Sequence, residues 1–144
     1  MSFNNLDTLY RQVIMDHYKS PRNKGTLNGD IVTAEMNNPS CGDRVTVYLH
    51  IDRDVVDDVK FEGEGCSISM ASASMMTQAI KGKKLTDALK ISQLFSEMML
   101  GNDIDPGDLE IGDIQALSGV SQFPARINCA TLAWKAMEKG AHRQ

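Results

Sequence analysis

The chain is poor in cysteine: it has three among 144 residues, and no two of them form a Cys-x-x-Cys pair. An odd number of cysteines cannot all pair within one chain, so the sequence does not predict a disulfide framework. Thiols that stay reduced act as packing groups, nucleophiles or metal ligands. The three cysteines are therefore the first candidates for a functional site.

Positive charge is also scarce, because 15 Lys and Arg stand against 19 Asp and Glu, for a formal net charge of -4. Nucleic-acid binding needs a basic surface that displaces phosphate counterions, so we expect no nucleic-acid partner. No apolar run approaches the roughly 18 residues that a membrane span needs, so we expect no membrane partner. The first five residues do not resemble a signal peptide, which predicts a cytoplasmic protein.

The first half of the chain predicts a small sheet. From Asp43 onward, apolar residues alternate with polar ones, which is the period of a strand with one buried face. A turn at residues 52–54 leads into a second strand over 55–61, and residues 31–36 indicate another. Together these segments predict a three-stranded, mostly antiparallel sheet.

Helical periodicity marks much of the remaining chain. Residues about 5–18 predict an amphipathic first helix, and after Gly65 apolar residues line one side of a second helix. Thr86 is placed to cap a further helix that stops at Gly101. Pro124 fits the first turn of a last helix, because proline is favoured at that position.

The size of the chain fits one domain built from these elements. With 144 residues, 42% of them hydrophobic, it can form one core and is short for two. A run of strands followed by a run of helices is typical of α+β domains. We therefore expect residues 1–144 to form a single α+β domain with helices packed on one face of the sheet.

Three cysteines and one aspartate lie at the boundaries of these elements. Cys41 and Asp43 are two residues apart where a turn enters a strand, so their side chains are expected on the same sheet face. Cys66 opens a helix after two nearby glycines, and Cys129 lies in the first or second turn of the last helix. If both helices pack on that face with these turns at the edge near Cys41, the four groups meet.

Three thiolates and one carboxylate suit a tetrahedral, borderline-soft cation such as Zn²⁺. The carboxylate is the harder and more exchangeable ligand, which favours a working site over a structural one. Arg126 stands three residues before Cys129, so on a helix the two share a side. Its guanidinium would offset the net negative charge of such a site.

Simpler interpretations exist for each of these residues. A cysteine in a globular domain is often a small buried hydrophobe, and spacing alone does not decide between packing and ligation. Arg126 could equally be a solvated surface residue. Among the histidines, His17 ends the apolar face of the first helix and is expected to pack, and His50 falls on the outer strand face.

Four segments resemble the U-type iron-sulfur cluster assembly family, and within it the SufU branch. They span residues 17–25, 38–43 with Asn-Pro-Ser-Cys-Gly-Asp, 63–69 with Gly-Glu-Gly-Cys-Ser-Ile-Ser, and 117–134. The resemblance implies a SufE/NifU-like α+β fold with a small sheet. It also implies work with a pyridoxal-phosphate cysteine desulfurase, which hands over sulfur as a persulfide.

The resemblance carries over to individual residues. Cys41, Asp43, Cys66 and Cys129 match the family's metal-binding positions, and Arg126 matches an arginine near the site. In the SufU branch this implies a zinc-dependent sulfur acceptor with Cys41 as the receiving thiol. The sulfur would pass to a downstream assembly scaffold or to an apo-protein.

The chain departs from the IscU branch at two places. That branch has a histidine where this chain has Asn128, and a chaperone-binding segment where this chain has residues 123–127. Three functions stay open: sulfur relay at zinc, a scaffold for iron or a transient iron-sulfur cluster, and a purely structural zinc or zinc-free fold. Whether the relay amounts to an enzyme, a zinc-dependent sulfurtransferase, also stays open.

Overall fold

A computed structural model describes residues 2–38 and 42–143, with side chains from Leu9 onward. Cys41 lies outside these ranges, so the prediction that it lies beside Asp43 concerns a residue that the structure does not describe. The elements are α1 (Ser2–Lys19), β1 (Val32–Asn38), β2 (Asp43–Asp52), β3 (Val55–Glu64), α2 (Ser67–Ile80), α3 (Leu85–Met99), a 3₁₀ segment (Ile114–Gln122) and α4 (Pro124–His142).

The three strands form one sheet in the order β1-β2-β3, and both pairings are antiparallel. This confirms the predicted sheet. Val47 in the central strand is paired with Ala34 on one side and Phe61 on the other, and all three are buried. Alternate residues of β2, beginning with Asp43, are buried in the same way, so one face of the sheet forms the floor of the core.

Helices cover that face. α4 packs on β1 and β2, α2 packs on β3 and α4, and α1 and α3 pack against α2. The predicted α+β fold with helices on one face is thus confirmed. Among the described residues, no helix is long and apolar enough to span a membrane.

The helix predicted after Gly65 is confirmed as α2, and it is buried on more than the one side that the sequence indicated. From Ser69 to Ile80 only Gln78 is exposed, so the helix is buried nearly all round. Small residues make this possible, because Ala and Ser let neighbouring helices approach closely, and the hydroxyls find partners within the fold. Ser72 Oγ, for example, donates to the carbonyl of Ala130 at 2.5 Å.

The predicted cap at Thr86 is wrong. α3 begins one residue earlier, at Leu85, and no side chain caps it. The backbone explains this start, because the Leu85 N–H donates to the carbonyl of Asp54 at 2.7 Å and the Val56 N–H donates to that of Lys83 at 2.8 Å. Pairing with the turn between β2 and β3 therefore fixes the start of α3 in place of a local cap.

His17 is fully buried and joins α1 to two other parts of the fold, which confirms its predicted packing role. Its Nε2 lies 2.8 Å from Asp113 Oδ2, and because a carboxylate only accepts, Nε2 carries the proton. The Ser74 hydroxyl then donates to Nδ1 at 2.7 Å, while Ser74 Oγ accepts the Arg22 N–H at 2.8 Å. α1, α2 and the start of the 3₁₀ segment are tied together by this chain of hydrogen bonds.

We expect His17→Leu to lower the free energy of unfolding by about 2 kcal/mol, because it removes one buried hydrogen bond to Ser74 and one partly buried hydrogen bond to the Asp113 carboxylate. His50 provides a matched control, since it also pairs with a carboxylate, Asp57, at 3.0 Å, but at the surface. His50→Leu should cost less than about 0.5 kcal/mol. Denaturant unfolding of both variants measures the difference, and equal costs would contradict a tethering role for His17.

Candidate metal centre

Asp43, Cys66 and Cys129 each place one ligand atom within 4.8 Å of the other two. They come from three elements: the first residue of β2, the residue that caps α2, and the second turn of α4. Within the described ranges, this is the one group of three or more His, Cys, Asp or Glu residues with such spacing. It lies where the end of the sheet meets the starts of two helices.

Asp43 is 2% exposed, which is unusual for a carboxylate. Its side chain points to the core face of the sheet, in step with Val45 and Val47. There Oδ1 accepts the Cys66 N–H at 2.9 Å. That N–H belongs to the start of α2, where backbone donors have no partner within the helix and the helix dipole favours a negative charge. The buried carboxylate is therefore held in a stabilising position.

Cys66 is half-buried, and its sulfur faces two oxygens. Sγ lies 3.9 Å from Asp43 Oδ2 and 3.9 Å from Ser69 Oγ. Ser69 is fully buried, and its hydroxyl donates to the Cys66 carbonyl at 3.2 Å, which fixes the turn that presents the thiol. Residues 43, 66 and 69 thus form one connected unit at the start of α2.

Cys129 reaches the same place from the other helix. It is 1% exposed, and its sulfur lies 3.9 Å from the carbonyl of Ala125 one turn earlier. Pro124 occupies the first turn of α4, as the sequence predicted, so Cys129 falls in the second turn. The apolar packing of α4 on β1 and β2 then brings this turn to the end of the sheet that holds Asp43.

The three described donors fit zinc. A tetrahedral Zn²⁺ with bonds of about 2.0–2.3 Å sets neighbouring donors about 3.3–3.8 Å apart. The separation of 3.9 Å between Cys66 Sγ and Asp43 Oδ2 is close to that range, and the remaining separations, all within 4.8 Å, need only small side-chain movements. Two sulfurs and one carboxylate oxygen are also a donor set that zinc accepts.

The predicted site residues have different outcomes. Asp43, Cys66 and Cys129 are brought together from distant parts of the sequence. Arg126 is exposed in the first turn of α4, three residues before Cys129. Cys41 falls outside the described residues, so its part in the site remains a prediction.

Sequence reasoning did not identify two residues that shape the site. Ser69 lies three positions after Cys66, a spacing that puts both on one side of a helix, and this signal could have been used. Gly65 directly precedes Cys66, but the sequence does not show which atoms a side chain at this position would collide with. Its role depends on the position of the Asp43 carboxylate, which only the fold determines.

Comparison with known proteins gives a consistent result. The family model of the NifU-like N terminal domain matches residues 9–143. A relative in Bacillus subtilis (strain 168), named zinc-dependent sulfurtransferase SufU, is 66% identical over 145 residues, which cover 100% of this chain and 97% of the relative.

Other relatives carry a different name or none. A protein of Streptococcus pyogenes serotype M1, named iron-sulfur cluster assembly scaffold protein IscU, is 42% identical over 99% of this chain and 89% of its own length. A crystal structure described only as that of a hypothetical protein is 42% identical, with a TM-score of 0.86 over 95% of this chain and 99% of that one. The shared fold thus occurs in proteins named for sulfur transfer and for scaffolding.

Proposed function

The chain belongs to the NifU-like N terminal domain family, and we propose that it accepts persulfide sulfur from a cysteine desulfurase at a zinc-bound cysteine site and relays it for iron-sulfur cluster assembly. One observation carries this proposal: two cysteines and a buried aspartate, drawn from three elements, converge within 4.8 Å. The 66% identity to a zinc-dependent sulfurtransferase favours this function. Desulfurase turnover, measured with and without the zinc-loaded protein, tests it.

In this proposal Asp43, Cys66 and Cys129 hold the zinc together with Cys41. When bound, the zinc keeps the thiols of its ligands deprotonated, because metal-ligating cysteines bind as thiolates. Asp43 is also anchored to the Cys66 N–H, and Cys129 is fixed within α4. These three ligands would therefore stay in place while Cys41 reacts with a partner.

The transfer itself is a thiol-persulfide exchange. The Cys41 thiolate attacks the outer sulfur of the persulfide on the desulfurase, and a new S–S bond forms as the old one breaks. The desulfurase cysteine leaves as a thiolate, and Cys41 carries the persulfide. Electrons balance without an external oxidant or reductant, since one S–S bond replaces another. Cys41 then passes the outer sulfur to a downstream scaffold or apo-protein by the same type of exchange.

Arg126 is proposed to assist at the docking step. Three thiolates and a carboxylate around a dication leave a net negative charge, and an incoming persulfide adds to it. The Arg126 guanidinium is exposed and shares a helical side with Cys129, so it can reach a bound partner's sulfur. A cation at this position lowers the repulsion between the site and the persulfide.

Arg126→Ala should reduce the stimulation of desulfurase turnover about tenfold, the scale of one lost charge-assisted contact. Zinc affinity should stay nearly unchanged, because the side chain is exposed and is not a ligand. Lys135→Ala is the matched control, since Lys135 is an exposed cation on the same helix, and it should leave stimulation intact. Equal losses in both variants would point to a general charge effect and against the proposed role.

A scaffold for cluster assembly is the second candidate. The 42% identity to a protein named as such a scaffold favours it, and thiolates are the usual ligands of iron-sulfur clusters. Anaerobic reconstitution with iron and sulfide, followed by transfer to an apo acceptor with and without zinc, separates the two functions. Cluster transfer that zinc suppresses would support the scaffold, whereas desulfurase stimulation that requires zinc supports the relay.

We also propose the partners and the cellular location that go with this function. The sulfur donor is a cysteine desulfurase and the recipient is a scaffold or apo-protein of iron-sulfur assembly. A net charge of -4 is consistent with protein partners and no nucleic acid. We propose a cytoplasmic location, where reducing conditions keep the three cysteines as thiols.

A further inference from the structure

Gly65 lies against the carboxylate of Asp43. A methyl group added at Gly65 would fall 2.8 Å from Asp43 Cγ, closer still to Asp43 Oδ1, and 2.7 Å from Ser69 Oγ. Carbon and oxygen atoms that are not bonded do not approach so closely, so the space beside Gly65 exists only because this residue has no side chain. The carboxylate occupies that space.

We infer that Gly65 is a positioning residue for the metal centre. Because it has no side chain, it leaves a space, here called the seat, in which the Asp43 carboxylate lies against the start of α2. In this seat Oδ1 accepts the Cys66 N–H at 2.9 Å and Oδ2 faces Cys66 Sγ at 3.9 Å. The inference deepens the proposed function and rests on it where zinc is concerned. The contacts that define the seat lie within the described residues and do not depend on a metal.

The seat fixes the orientation of the Asp43 carboxylate. The hydrogen bond from the Cys66 N–H to Oδ1 turns the carboxylate so that Oδ2 faces Cys66 Sγ. If a side chain filled the seat, the carboxylate would have to turn away or the start of α2 would have to lift. Either movement would break the hydrogen bond from the Cys66 N–H to Oδ1 and would move Oδ2 away from Cys66 Sγ.

Gly63, two residues earlier, shows that this role is specific to Gly65. A methyl group at Gly63 would also collide, but with the backbone of Arg44 and Val45 in the neighbouring strand. Gly63 therefore allows the close pairing of β2 and β3 and touches no candidate ligand. Gly65 is the glycine of this segment whose neighbour is a candidate metal ligand.

A double-mutant cycle tests the inference. Gly65→Ala is made in the natural chain and in an Asp43→Ala background, where the carboxylate that it would strike is gone. Zinc affinity is measured by competition with a chromophoric chelator, and Co²⁺ spectra report the ligand set. Contact with Ser69 and any backbone cost are the same in both backgrounds, so the cycle isolates the effect on Asp43.

We expect Gly65→Ala to weaken zinc binding 10–100-fold in the natural chain, the usual effect of disturbing a residue that orients a ligand. In the Asp43→Ala background it should weaken binding less than about threefold. An equal loss in both backgrounds would overturn the inference, because Gly65 would then act through the backbone alone. Unchanged affinity and Co²⁺ spectra in Gly65→Ala would overturn it as well.

Thermal unfolding of the metal-free proteins provides a second measurement. The collision exists without metal, so Gly65→Ala should lower the unfolding temperature more in the natural chain than in the Asp43→Ala background. Gly25→Ala is the control for backbone cost, since Gly25 has φ +145°, close to the +158° of Gly65, and an added methyl group would only touch the Lys60 side chain at 3.7 Å. If the natural chain bound no zinc, the proposed metal site would fail, yet unequal unfolding shifts would still support the seat and equal shifts would overturn it.

Discussion

Replacing Cys41 by Ser should abolish the acceleration of cysteine desulfurase turnover, leaving the rate of the desulfurase alone. Serine has no thiolate that could attack a persulfide, so the exchange has no acceptor. The proposed ligands Asp43, Cys66 and Cys129 remain in the variant, and we expect it to keep the fold. Turnover of the desulfurase with L-cysteine, followed by mass spectrometry of the chain for one added sulfur atom, measures the loss.

The other two cysteines provide the control for this prediction. Cys66→Ser and Cys129→Ser should weaken zinc binding, and excess zinc should restore part of their stimulation, because their Cys41 is intact. Excess zinc should restore none in Cys41→Ser. Full acceleration by Cys41→Ser would refute its assignment as the receiving thiol, and sulfur found on Cys66 or Cys129 in that variant would move the assignment to them.

Removal of zinc by chelation should abolish stimulation and lower the unfolding temperature together. A ligand that binds only the folded state at 1,000 times its Kd adds about 4 kcal/mol of stability, which for a chain of this size raises the unfolding temperature by roughly 10 °C. Metal content, unfolding temperature and desulfurase stimulation are measured on one untagged preparation before chelation, after it, and after zinc is returned. All three should fall and recover together.

Treating the desulfurase alone with the chelator shows whether its own activity is affected. A lower unfolding temperature with full stimulation after chelation would support the purely structural zinc. Unchanged values of both would mean that the metal plays no part in this fold.

The sequence was sufficient where a local pattern determines the structure. Alternation after Asp43 predicted which side chains of β2 face the core, and Pro124 marked the start of α4. These two features place Asp43 and Cys129 on elements that the apolar face of the sheet brings together. Much of the candidate site could therefore be predicted before the fold was known.

The sequence was insufficient where distant backbone determines the structure. Thr86 is a good capping residue, but hydrogen bonds from Leu85 to Asp54 and from Val56 to Lys83 decide where α3 begins. Gly65 is a similar case, because its function lies in the space that it leaves for a carboxylate from another strand. Neither the backbone pairing at the start of α3 nor the close approach of Asp43 to Gly65 produces a periodic pattern in the sequence.

The origin of the three described candidate ligands has a consequence for biosynthesis. Asp43 and Cys66 are adjacent in the fold through β2 and the start of α2, but Cys129 comes only with α4, the last helix along the chain. Until α4 docks, a polypeptide still emerging from the ribosome can bring no more than one thiol of this trio beside the carboxylate. Tight metal loading should therefore follow translation, and chains terminated before residue 124 should take up zinc only weakly.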